Sequence, residues 1–151
     1  MDRDVLVTVS GLLFMADEEA ERQDIEVIAP GQYYWKNGKH YITYDEMAEN
    51  FTEPVHNLLK ISPETVSIRK KGLIETELTF TKGKENVSHY STPFGNLVLG
   101  IRANELEVME EKGGIHVNVE YALEINYEHI SDCSIKIHVQ DKESKDFTLI
   151  S

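Results

Sequence analysis

From Ile115 to Tyr127 every odd-numbered residue is apolar: Ile115, Val117, Val119, Tyr121, Leu123, Ile125 and Tyr127. The residues between them, His116, Asn118, Glu120, Glu124 and Asn126, are polar, with Ala122 the exception. A strand sends successive side chains to opposite faces, so this row predicts one long strand with a buried and a wet side. At roughly 3.3 Å per residue it spans on the order of 40 Å, a length that suits a bent strand in a rolled sheet or barrel.

The same period recurs along the chain. Cys133, Ile135, Ile137 and Val139 alternate with Ser134, Lys136, His138 and Gln140. If this segment forms a hairpin with the previous one, the two apolar rows share a face and odd residues pair with odd. A loop of three residues, Glu128 to Ile130, or of five, Glu128 to Asp132, meets that condition. Either register sets His138 opposite Glu120 or Ala122. Shorter alternations begin at Val5, Asp24, Thr65, Ile74 and Asn96, and each reads as a strand.

Turn residues punctuate these strands. Asn37-Gly38 accepts the positive φ angles of a tight hairpin. Gly72, Lys82-Gly83-Lys84, Pro93-Phe94-Gly95-Asn96 and Lys112-Gly113-Gly114 supply further breaks. No helical pattern is long enough for a crossover between parallel strands, so the sheet is expected to be antiparallel. Only Asp17 to Asp24 and Asp45 to Phe51 have room for a helical turn, the second ahead of a strand from Glu53 to Ile61. No linker, repeat or low-complexity segment divides the chain, which gives one domain over residues 1–151. The expected fold is all-β: a single antiparallel up-and-down barrel of about 8–10 strands, which also removes sheet edges.

Composition narrows the function. With 151 residues the chain can bury roughly 70% of its unfolded surface without disulfides. Fifteen basic against 27 acidic residues give a net charge of −12. That balance argues against nucleic acid or an anionic membrane as partner, since both need a basic patch. A single cysteine excludes an internal disulfide framework and a four-cysteine zinc site. No apolar run is long enough for a membrane-spanning helix, and the charged start does not resemble a secretion signal. A reducing cytoplasm is the expected compartment.

Three segments, taken in order, resemble a known family. They are Tyr41-Ile42-Thr43-Tyr44-Asp45-Glu46, His89-Tyr90-Ser91-Thr92-Pro93-Phe94-Gly95 and Glu111-Lys112-Gly113-Gly114-Ile115-His116-Val117. Their order and spacing resemble the YwiB-like family of small bacterial proteins of unknown function, over nearly the whole chain. The resemblance implies a lipocalin-like, calycin-type β-barrel. It brings no established activity and no cofactor. The Arg-x-Gly step expected in the family reads Arg69-Lys70-Lys71-Gly72 here, one residue longer.

The chain contains no phosphate-binding loop, nucleophile elbow, zinc-protease helix or EF-hand loop. Its six histidines, His40, His56, His89, His116, His129 and His138, are never spaced i, i+2. The hairpin register above puts His116 and His138 about four positions apart, too far for one zinc ion, so the histidines read as solvated and no metal site is assigned. Cys133 heads an apolar row and reads as core. The run from Glu105 to Glu111 reads as a solvated loop or edge.

The aromatic residues are more suggestive. Tyr33, Tyr34, Trp35, Tyr41 and Tyr44 crowd the Asn37-Gly38 hairpin, where cross-strand pairing alone accounts for them. A sharper reading turns Tyr34, Tyr44, Tyr90 and Tyr121 inward as a ligand-binding pocket, each offering an apolar ring and one hydroxyl. Arg69 then supplies a cation for an acidic group, and Glu46 anchors a hydrogen-bond network at the barrel rim. On this reading the protein binds a small apolar or amphipathic ligand inside the barrel. The alternative is a homodimerisation or protein-interaction module with a filled barrel. No pair of titratable groups is forced together by the sequence, so no catalytic residue is assigned and an enzyme ranks last.

Overall fold

A computed structural model of the chain describes residues 3–11, 26–46, 53–72, 75–92 and 95–142. Ten strands follow in chain order: β1 (Arg3–Ser10), β2 (Glu26–Lys36), β3 (Lys39–Glu46), β4 (Val55–Ile61), β5 (Thr65–Lys71), β6 (Thr76–Thr81), β7 (Glu85–Thr92), β8 (Gly95–Glu111), β9 (Gly114–Ile125) and β10 (Glu128–Asp141). They form one sheet in the order β6-β5-β4-β3-β2-β1-β10-β9-β8-β7. Every ladder is antiparallel, and no helix occurs among the described residues. Much of the expected helical turn from Asp45 to Phe51, and all of that from Asp17 to Asp24, lies outside the described residues; Asp45 and Glu46 themselves belong to β3.

The sheet curls into a nearly closed barrel. The two chain-terminal strands, β1 and β10, pair from Val5↔Asp141 to Ser10↔Lys136 and join the halves. The ring closes between β6 and β7 by other means. Two backbone hydrogen bonds of 2.9 Å link Glu75 and Ser91. Along the rest of this seam, side chains stand in for the ladder. Asn86 Nδ2 donates to the Thr79 carbonyl at 3.2 Å, and the Ser88 hydroxyl donates to the Glu77 carbonyl. These bonds satisfy backbone acceptors that an open edge would leave bare.

Side chains fill the interior. Ile42, Leu59, Ile68, Leu78, Phe80, Ile101, Tyr121 and Ile137 are almost wholly buried. Phe80 meets Tyr121 edge to face at 5.0 Å between ring centres, which ties β6 to β9 across the core.

The long odd-numbered row behaves as its alternation predicts up to Ile125. There the strand ends, and Asn126 and Tyr127 form the turn, with φ of 52° and 71°. Asn126 holds that turn against β8: its N–H donates to the Val98 carbonyl at 2.8 Å, and its Oδ1 accepts from Val98 N–H at 3.0 Å. Tyr127, in phase with the buried row, is instead 80% exposed.

A two-residue turn on its own sets Ile125 opposite Glu128, odd against even. A register shift between His129 and Ser131 adds one residue to β10 and restores odd against odd from Ser131↔Leu123 onward. The shared-face expectation is therefore met, but not through a three- or five-residue loop. The consequence is large: His138 pairs with His116, not with Glu120 or Ala122.

Two further expectations meet the structure. Glu105 to Glu111 is no loop but the second half of β8; it pairs with β9 on one side while the β7 ladder stops at Arg102, so it is the solvated edge that was expected. His40 is not solvated; it is 7% exposed.

Packing this dense makes truncation costly. Phe80→Ala should destabilise the barrel by about 3–5 kcal/mol in urea unfolding. A loss below about 1 kcal/mol would show that Phe80 does not fill the interior.

Candidate functional site

Antiparallel connectivity sorts the strand ends between the two ends of the barrel. The described strands flanking residues 12–25, 47–52, 73–74 and 93–94 all stop at one mouth. Inward side chains are apolar through most of the barrel. At one level near this mouth they are not. Tyr44, Asn57, Lys70 and Thr76 stand side by side across β3, β4, β5 and β6. Glu46 lies two residues farther along β3, on the same inward face.

These side chains make one network. Lys70 Nζ donates to Glu46 Oε1 and, at 2.9 Å, to Asn57 Oδ1. Asn57 Nδ2 donates to Glu46 Oε1 at 3.1 Å and to the Val55 carbonyl at 3.2 Å. The Lys70 side chain is 9% exposed and that of Glu46 25%. Lys70 is thus withdrawn from water and answered by one amide and by the partly exposed Glu46. Opposite Lys70, the buried Thr76 Oγ1 finds no hydrogen-bond partner among the described residues.

Two phenols feel the same carboxylate. Burial pushes the Tyr90 hydroxyl up to about 12, and the Glu46 charge adds to the shift. Burial and then Glu46 also hold the Tyr44 hydroxyl far above the ordinary tyrosine range. Both rings therefore present neutral O–H groups at physiological pH.

Of the six candidate pocket residues, Tyr44, Glu46 and Tyr90 gather here. The other three do not. Tyr34 lies on the outer side of β2, stacked on Tyr41 at 5.1 Å. Arg69 is exposed and faces outward, between Leu58 and Glu77 of the neighbouring strands. Its neighbour Lys70 supplies the inward cation, because one step along a strand reverses the face. Tyr121 points inward but sits in the hydrophobic core, 1% exposed, with its hydroxyl buried beside Cys133. Lys70 and Asn57 are the residues that sequence reasoning missed. Both occupy inward positions in strands that otherwise alternate, and that parity was the available signal.

The opposite end is closed differently. The Tyr33 hydroxyl and His40 Nδ1 lie 2.8 Å apart, and His40 Nε2 reaches Glu110 Oε1 at 2.9 Å. His40 is on β3 and Glu110 on β8, halfway around the ring, so this chain of groups spans the barrel end. Beside it the Arg3–Asp141 ion pair, at 2.9 Å, borders a hollow of about 180 Å³. That is smaller than most small-molecule pockets, which start near ~300 Å³.

Residues 13–137 match the family described as a domain of unknown function, DUF1934. The chain is 26% identical over 121 residues to the uncharacterised β-barrel protein YwiB of Bacillus subtilis strain 168, spanning 79% of this chain and 84% of that one. The crystal structure of the ywiB protein from Bacillus subtilis superposes with a TM-score of 0.75 at 18% identity, covering 93% of this chain and 92% of that one. At that identity the likeness carries the barrel fold alone.

The raised phenols fix the sign of an alkaline effect. The folded state keeps its tyrosine protons at pH values where the unfolded chain, near 10.0, loses them. It therefore binds more protons than the unfolded state, and stability falls as pH rises from about 10 toward 12. Tyr44→Phe should flatten that fall, as read by urea unfolding at a series of alkaline pH values. An unchanged slope would contradict the burial of this hydroxyl.

Proposed function

The chain belongs to the DUF1934 family, a domain of unknown function, and from that premise we propose that it is a binding protein whose ligand docks at the Tyr44–Glu46–Lys70 mouth. The observation that carries this reading is the Glu46–Lys70 ion pair drawn into the barrel mouth, with the Lys70 side chain 9% exposed. Apolar residues of similar size would serve the fold as well or better, because a buried pair seldom recovers its desolvation cost. Charged and amide groups next to two neutral phenols suit recognition instead. An amphipathic molecule would lay its apolar part against the Tyr44 and Tyr90 rings. Its polar head would exchange hydrogen bonds with Lys70, Asn57 and Glu46.

The filled interior argues for docking at the mouth rather than in a deep central cavity of the lipocalin-like kind. The acidic surface, with a net charge of −12, favours a small molecule over nucleic acid or an anionic membrane, and fits a cytoplasmic protein. A second reading, a homodimerisation module, is favoured by the β6–β7 seam, where the ladder is broken and Val87 on β7 is 59% exposed.

Native against denaturing mass spectrometry on protein purified without refolding tests the proposal. The expected result is extra mass on the native monomer that disappears on denaturation and is absent from a folded Lys70→Met variant. A bare monomer contradicts the proposal, and a bare dimer transfers support to the second reading.

A further inference from the structure

The outer face of β9 and β10 carries a pair of groups that neither the fold nor the mouth uses. His116 and His138 stand directly opposite each other. Their rings are nearly parallel, 11° apart, with centres 4.0 Å apart. His116 Nε2 lies 2.9 Å from Glu111 Oε1. His138 Nε2 lies 3.6 Å from the point where a Cβ on Gly114 would stand. Gly114 itself pairs with Glu111 on one side and Gln140 on the other. The missing side chain of Gly114 therefore leaves a space beside His138 Nε2, next to the His116–Glu111 contact.

We propose that His116 and His138 form a two-nitrogen clip for a borderline divalent transition ion, copper(II), nickel(II) or zinc(II), over Gly114. Imidazole nitrogen is the ligand these ions share. Two nitrogens serving one ion at about 2.0–2.1 Å each are separated by roughly 3–3.5 Å, and the rings must turn out of their stacked orientation to aim both lone pairs at one point. Among the described residues no three His, Cys, Asp or Glu side chains already surround one point, so water completes the coordination shell. Glu111 is the neutralising carboxylate, giving up its contact with His116 Nε2 as the ion takes its place. Binding would fasten β9 to β10 through side chains as well as backbone.

Isothermal titration calorimetry of the whole chain with copper(II), nickel(II) and zinc(II) chloride at pH 7.5 tests the proposal. One ion should bind per chain, copper most tightly. His116→Asn and His138→Asn should each weaken binding at least tenfold. Absence of binding to the wild type, wild-type affinity in both variants, or a loss in only one of them overturns the clip. If a variant does not fold, proton spectra of the wild type decide the matter. Substoichiometric copper(II) should broaden the His116 and His138 imidazole signals before those of His40, His56, His89 and His129. Broadening of another histidine first overturns it.

Discussion

Register is the constraint on which the rest of this barrel depends. In a sheet with one buried face, a slip of a single residue turns every side chain of a strand inside out. The molecule uses irregularities to prevent this. β10 takes an extra residue between His129 and Ser131, which brings Cys133, Ile135, Ile137 and Val139 back into phase with β9. β8 shifts in the same way between Ala103 and Glu105, so that Leu106 and Val108 continue the inward row that Leu99 and Ile101 begin. Without the first shift His138 would not face His116. Without the second, the Glu105–Glu111 carboxylates would alternate into the core.

Against that apolar interior, the level of Tyr44, Asn57, Lys70 and Thr76 is an exception. Removing one partner of such a pair leaves an uncompensated charge, at a cost of about 3–5 kcal/mol, whereas replacing the whole set by apolar groups often costs nothing. That imbalance is the basis of the binding role proposed for the Glu46–Lys70 pair. Asn57 gives the arrangement its direction. Its carbonyl accepts from Lys70 while its amide donates to Glu46, which leaves each charge with a fixed orientation. The far end, by contrast, is spanned by Tyr33, His40 and Glu110, and the filled core lies between the two ends.

The alternation of Val117, Val119 and Tyr121 made the barrel legible, and Asn37-Gly38 made its first tight hairpin legible; that turn sets Trp35 against His40 and Tyr33 against Ile42. Glu46 at the rim was legible as the centre of a polar network. Arg69 was misassigned because charge type was visible and facing was not; its neighbour Lys70 has the inward parity. Tyr127 misled for the converse reason. It keeps the apolar phase, yet the turn there is set by Asn126 bonding to Val98, a contact 28 residues away in sequence. The His116–His138 pair was hidden by that same turn and by the shift after it. Neither has a period, so neither leaves a trace in an alternating pattern.

The account holds that the polar level serves recognition and that the fold does not need it. Its most direct test is the equilibrium stability, in urea, of a triple variant Glu46→Leu, Asn57→Leu, Lys70→Met, which removes all members of the network together. The account predicts a cooperative unfolding transition with stability equal to or above that of the wild type. A loss of more than about 3 kcal/mol would mean that the ion pair is a structural necessity, and would contradict the account.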